Sequence, residues 1–231
     1  MTRVGIVTGM RAELDCLGTA IQALPEPQRP LLFCAGGSNE RAHTGARAML
    51  DEGAQALLSI GIAGGLSVDL GPGDVVLADA VVGHGDARRE THGLWRARVE
   101  VELRGSRVGA IYASQNAVRS PEHKSELHRT HGAVAVDMES GGVAAAANAA
   151  GVPFLALRVI ADPAHRAIPR AALHGLAPDG RQRALAVLLQ LVRRPGETPG
   201  LIGLARDSKT ALARLRRVTS LGNALFTPPV A

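Results

Sequence analysis

The sequence predicts an α/β fold in which a mixed central sheet is flanked by helices, and three observations carry that expectation. Short apolar runs of strand length alternate with segments of helical period. The middle of the chain holds more strand-like sequence than simple alternation requires, so the sheet is expected to be mixed. Apolar residues make up 46% of the 231 residues and aromatics only 2%, which leaves a core of Ala, Val, Leu and Ile and favours helices packed closely on a sheet.

Val4 to Thr8 reads as a short buried strand and Met10 to Leu24 as the helix after it, ended by Pro25, Pro27 and Pro30. Leu31 to Ala35 is a second strand, closed by Gly36-Gly37. Ser38 then caps a helix running through Glu52, with Gly53 at its C-terminal end. Ala56 to Gly61 is a third strand, giving way to the glycine-rich Gly61 to Gly65. Asp74 to Val82 is a long β-rich run. Trp95 to Leu103 and Val108 to Ala113 alternate like a hairpin or paired strands. Pro121 to Thr130 is expected to be helical, Ala133 to Val136 a strand, Glu139 to Ala150 a helix of small residues, and Pro153 to Ile160 a buried strand.

Beyond Asp162 the pattern changes. Arg181 to Arg193 reads as one amphipathic helix, broken by Arg194-Pro195-Gly196. Leu201 to Val218 reads as another, with Leu201, Leu204, Leu212 and Leu215 at helical spacing and basic residues between them. The expected division is therefore a catalytic domain over 1–195 and a basic amphipathic extension over 196–231.

The net charge is +5, and the stretch from Arg181 onwards carries nine Lys or Arg residues against Glu197 and Asp207. A solvated helix face, an anionic surface partner and nucleic acid could each explain that excess. Nucleic acid is disfavoured, because aromatic platforms and recognisable motifs are missing. Cys16 and Cys34 have no metal-ligand spacing and form no disulfide framework. The start lacks the apolar core of a signal peptide, and no run reaches the length of a membrane span. The expected location is the cytoplasm, with peripheral contact at the inner membrane face left open.

Four segments place reactive residue types where a strand gives way to a loop or helix: Gly9 to Glu13, Gly61 to Gly65, Val136 to Ser140 and Arg158 to Asp162. Ligands of α/β sheets collect at such strand ends. Each segment also has an ordinary structural explanation. Glu13 and Glu139 are acids at helix starts, where the helix dipole favours them. The glycines suit a tight turn, and Asp162-Pro163 is a common turn pair.

Taken together and in order, VGIVTGMRAEL at 4–14, SIGIAGGL at 59–66 with PGDVV at 72–76, AVDMESGGVA at 135–144 and PFLALRVIAD at 153–162 resemble the purine and uridine phosphorylase family. That family includes bacterial nucleosidases acting on methylthioadenosine and adenosylhomocysteine. The C-terminal segments ADPAHRAIPRAAL at 161–173, GLAPDGR at 175–181 and LARDSKTALARLRR at 204–217 are most similar to the hopanoid-associated phosphorylase branch. The proposed substrate there is adenosylhopane, from which adenine is released.

The resemblance implies a nucleoside phosphorylase-like three-layer fold, a homo-oligomer, no cofactor, and inorganic phosphate as a candidate co-substrate. It implies Asp162 as the acid that protonates the purine at N7. Glu139 would bind the ribose hydroxyls, and Met138 would pack beneath the sugar. Glu13 would hold an attacking water, with Arg158 helping to place the nucleophile. Amides around Gly61 to Gly64 would face phosphate or water.

Two departures bear on the chemistry. Ile62 replaces the serine of the family's phosphate loop, and Ser59 stands where some phosphorylases carry an arginine; Arg11 is the candidate to replace that charge. Val118 falls where the nucleosidases stack a phenylalanine on the base. The substitutions at Ile62 and Ser59, together with Glu13, lean towards hydrolysis. The expected activity is N-glycosidic cleavage of a purine nucleoside, with adenosylhopane as the leading substrate and methylthioadenosine or adenosylhomocysteine as the alternative. A non-catalytic nucleoside-binding or membrane-surface protein is the competing class.

Overall fold

Strand β1 (Val4–Thr8) is buried along its whole length, as its unbroken apolar character requires of a central parallel strand. The structure, a computed structural model, describes residues 3–83, 87–174, 177, 179–181, 195–221 and 223–228. Seven further strands follow: β2 (Leu31–Cys34), β3 (Ala56–Gly65), β4 (Val75–Val82), β5 (Arg88–Glu90), β6 (Arg107–Ala113), β7 (Ala135–Asp137) and β8 (Phe154–Asp162). Between them lie α1 (Arg11–Gln22), α2 (Asn39–Asp51), α3 (Gly93–Glu102), α4 (Pro121–His131) and α5 (Ser140–Ala150), with α6 (Thr198–Leu221) near the C-terminus.

The sheet is mixed, as expected, and it closes on itself. β3 runs parallel to β8, β8 antiparallel to β4, β4 parallel to β6, β6 parallel to β7, and β7 antiparallel to β3. β1 and β2 extend from one edge of β3 as a parallel wing. β3 thus divides one edge between two partners: its pairing with β1 ends at Ser59, and its pairing with β7 begins at Gly64. The glycine run read as a loop is therefore strand. Gly61 to Ala63 pair with Arg158 to Ile160, which commits their backbone to the sheet.

Helices cover both faces. Cys16, Leu17 and Ile21 of α1, Trp95 and Val99 of α3, and Ala211, Leu215 and Val218 of α6 pack with Ile6, Leu58 and Leu157 in one core. Ala42, Ala46 and Met49 of α2 and Val143, Ala144 and Ala147 of α5 pack with Val7, Leu57 and Ala156 in the other. Ser38 caps α2 as expected, accepting from the Arg41 amide at 3.3 Å. Gly142 lets α5 approach α2 closely, since a Cβ there would fall 2.0 Å from the Asn39 carbonyl oxygen.

The run Trp95 to Leu103 is not a strand. It forms α3 and the residue following it, capped by His92, whose ring accepts from the Trp95 amide. Trp95, Val99 and Leu103 are buried at four-residue spacing, while Ala97 and Val101 are exposed. The alternation was compatible with both periods, and tertiary burial of the Trp95 ring selects the helix. Its Nε1 donates to the Ala224 carbonyl at 2.8 Å.

Helix α6 extends the expected Leu201–Val218 element at both ends. The expected helix over 181–193 lies outside the described residues, Arg181 excepted. Leu215 is fully buried, Leu212 packs against the same core, and the Thr219 hydroxyl donates to the Cys16 carbonyl at 2.8 Å. Arg206, Lys209, Arg216 and Arg217 are exposed. Among the described residues no helix is long and apolar enough to cross a membrane.

If α6 belongs to the common core, Leu215→Ala will lower global stability by about 2–5 kcal/mol in a single unfolding transition. Urea denaturation followed by circular dichroism measures this. An unchanged midpoint would make α6 an appendage.

Candidate active site

Where β1 has left β3 and β7 has not yet joined it, the β3 edge is filled by a carboxylate. Glu13, in the first turn of α1, accepts the Ile62 amide on Oε1 at 2.8 Å. Its Oε2 accepts the amides of Gly9 and Met10 at 2.7 and 2.8 Å. A side chain at residue 61 would collide with this carboxylate, since a Cβ there would fall 2.6 Å from Oε1. Burial pushes the Glu13 pKa above the ordinary range, against the pull of the Ile62 amide and the Arg158 charge.

Strand β7 ends at Asp137, and α5 starts behind it. Asp137 Oδ1 accepts from the Ser140 hydroxyl at 2.7 Å and from the amides of Ser140 and Glu139 at 3.2 and 3.3 Å. Its Oδ2 lies 2.5 Å from Nη2 of Arg158, which is 1% exposed in the middle of β8. Arg158 also donates to the Ser59 hydroxyl at 2.7 Å and the Leu157 carbonyl at 2.9 Å. Glu139 stands 3.8 Å from the same guanidinium. Burial first, and repulsion from Asp137 second, push Glu139 up to about 8.

Asp162 ends β8 just beyond an irregularity. Ala63 pairs with Ile160, but Gly64 pairs with Asp162, so Ala161 is an extra residue on β8. Such a bulge re-aims the side chain that follows it. Asp162 faces the cavity with one oxygen held by Lys124 of α4: Nζ donates to Oδ2 at 2.5 Å. The same ammonium donates to the carbonyls of Pro163 and Arg166 at 2.9 and 3.1 Å. Burial raises the Asp162 pKa, and the Lys124 charge opposes that rise.

These groups surround a cavity of about 240 Å³. Of the residues expected from sequence, Glu13, Ile62 and Gly64 line it. Val118, Met138, Glu139 and Asp162 line it as well. Arg158 lies behind the carboxylates rather than in the lining, and Arg11 is exposed at the start of α1, outside it. The Ile62 amide is already engaged by Glu13. Sequence reasoning missed Lys124, because nothing in a polar helix marks one lysine as the buried one. It also gave Asp137 no role, although this residue lies within the segment Val136 to Ser140 that it singled out. Among the described residues no group of His, Cys, Asp or Glu could hold a metal ion.

A family model described as the phosphorylase superfamily matches residues 26–194. No curated protein matches the sequence. Among solved structures, the 5'-methylthioadenosine/S-adenosylhomocysteine nucleosidase of Neisseria meningitidis, in complex with methylthio-immucillin-A, superposes with a TM-score of 0.70 at 19% identity, covering 96% of this chain and 98% of that one. The corresponding Helicobacter pylori nucleosidase gives 0.67 at 20% identity, over 94% and 97%. A mutant futalosine hydrolase of Helicobacter pylori gives 0.63 at 23%, over 69% and 89%.

The raised Glu139 pKa has a consequence for stability. Folding favours the neutral acid, so this contribution is complete below the ordinary carboxylate range and is lost as pH rises to about 8. Glu139→Gln removes that loss. Its melting temperature is expected to exceed that of the wild type at pH 8.5 by roughly 2–4 °C per kcal/mol recovered, and to match it near pH 4. Parallel Tm-against-pH curves for the two proteins would refute the assignment.

Proposed function

The chain belongs to the phosphorylase superfamily, and from that premise we propose that it hydrolyses the N-glycosidic bond of a purine nucleoside and releases the free base. The observation carrying this is the charge of the cavity. Its described lining holds the carboxylates Glu13, Asp137, Glu139 and Asp162 and no Lys or Arg. Inorganic phosphate entering there would meet acids and no free cation. Water needs only an acceptor.

In this reading Asp162 gives its proton to N7 of the purine, and the C1'–N9 bonding electrons leave with the base. General acid catalysis of this kind contributes about 10²–10⁴ in rate. Glu139, with Oε1 accepting no hydrogen bond among the described residues, receives the ribose hydroxyls and faces the positive charge growing on the sugar. Met138 packs beneath the ring. Glu13, pinned by three amides, keeps lone-pair capacity for a water whose oxygen bonds to C1' while its proton passes to the carboxylate. Arg158 acts from behind, keeping Asp137 and Glu139 close together.

The finer substrate reading is an adenosine whose ribose carries an apolar substituent, adenosylhopane in the hopanoid-associated branch. Met10, Val118, Ile168 and Leu204 give the cavity an apolar wall, and no aromatic ring lines it among the described residues. The second reading is a methylthioadenosine or adenosylhomocysteine nucleosidase, favoured by the full-length likeness to structures of that name.

Adenine release is the test, from adenosylhopane and from methylthioadenosine, with and without phosphate. Release from adenosylhopane in phosphate-free buffer is expected, with kcat falling about 10²–10⁴-fold in Asp162→Asn. A strict phosphate requirement with sugar 1-phosphate as product would overturn hydrolysis. Cleavage of methylthioadenosine alone would select the second reading. Unchanged nucleoside affinity without turnover in any protein would indicate a binding module.

A further inference from the structure

We propose that Lys124 is a positioning residue for the general acid: it occupies one oxygen of Asp162, so that the acid's proton is carried on the other oxygen, the one facing the cavity. This inference rests on the cleavage reading. Lys124 is completely buried, and its three N–H donors have three acceptors: Asp162 Oδ2, the Pro163 carbonyl and the Arg166 carbonyl. No donor is left over to reach a ligand, and Lys124 does not line the cavity. Its role is therefore exercised through Asp162.

The donor and acceptor inventory decides what that role is. An ammonium only donates, so Oδ2 must act as an acceptor while the contact lasts. A protonated Asp162 then carries its hydrogen on Oδ1, which accepts no hydrogen bond among the described residues and belongs to a side chain 10% exposed. After the proton moves to the purine, Asp162 is left as a carboxylate beside a fixed cation. Lys124 thus directs the proton before transfer and stabilises the anion after it. The arrangement is anchored on three elements. α4 supplies Lys124, β8 supplies Asp162, and the Arg166 segment is tied to α6 by an ion pair between Arg166 and Asp207.

The charged groups acting on Asp162 are Lys124 on α4, Arg166 after β8 and Asp207 on α6. Arg166 and Asp207 pair with each other and remain in any Lys124 variant. Removing the Lys124 charge therefore leaves burial less opposed and raises the pH at which Asp162 loses its proton. Because the protonated form is the active one, the alkaline limb of the rate profile moves to higher pH.

The experiment compares wild type, Lys124→Met and Lys124→Gln, using the nucleoside that the wild type cleaves. It reads kcat and KM for adenine release across pH, with thermal unfolding as a check on folding. In Lys124→Met, kcat is expected to fall about tenfold or more with KM within about twofold. Its alkaline limb should rise by about one to three pH units. In Lys124→Gln the amide still donates to Oδ2, so the limb should rise similarly while kcat falls less. If Lys124→Met does not fold, Lys124→Gln decides on the limb alone. A folded variant with wild-type kcat and limb, or one altered only in KM, would overturn the role. Absence of release by the wild type would overturn the cleavage reading and this role with it.

Discussion

The site depends on one buried guanidinium. Arg158 sits in the middle of β8 at 1% exposure, between β3 on one side and β4 on the other. Its Nη2 lies against Asp137 and Ser59 and within 3.8 Å of Glu139, and its charge also acts on Glu13. Without a cation there, Asp137, Glu139 and Glu13 would be three acids in a dry strand-end pocket, where Glu139 is already repelled by both of the others. Removing one partner from such a buried pair typically costs about 3–5 kcal/mol, because the other charge is left uncompensated. The guanidinium is thus a condition for the cavity, although it does not line it.

Around that cation the carboxylates are made different by what donates to them. Asp137 takes three hydrogen bonds on Oδ1, from Ser140 and the start of α5, and an ion pair with Arg158 on Oδ2. Glu13 takes three backbone amides in the gap between β1 and β7 along β3. Glu139 receives only a long contact from the Met138 amide, at 3.4 Å, and is the most exposed to repulsion from its neighbour. Asp162 has one oxygen bound by Lys124 and the other turned to the cavity. Four residues of one chemical type therefore have four environments, the usual way that one pocket runs acid and base chemistry together.

Much of this was legible in the sequence, and what was not has identifiable causes. The strand ends carrying Glu13, Glu139 and Asp162 could be located because each acid follows a compact apolar run. The closed sheet could not, since β7 spans only three residues and its partners are remote in sequence. Trp95 to Leu103 fitted strand and helix periods equally, and burial of one ring decided between them. The glycine run invited a loop because glycine favours turns. Here Gly61 admits the Glu13 carboxylate against a paired strand, a steric demand that only the folded chain reveals. Burial of Lys124, and the core on which the apolar side of α6 packs, were likewise matters of tertiary partnership.

Charge counting carries the comparison of nucleophiles one step further. In the proposed step Asp162 enters as the acid and Glu13 as the base, while burial raises the pKa of both. The lining holds four carboxyl groups, and the two cations behind it, Arg158 and Lys124, are each already paired with one of them. The cations are also committed in direction: Nη2 of Arg158 points at Asp137 and Ser59, and Lys124 donates to Asp162 and two carbonyls. Nε of Arg158 is buried without a hydrogen-bond partner, but a phosphate dianion drawing on the other donors would leave their partners buried and unpaired, a loss of about 1–3 kcal/mol or more for each. Water makes no such demand. The features that let four acids share one pocket are the same ones that leave it without surplus positive charge, and this ties the chemistry of the nucleophile to the way β8 is buried.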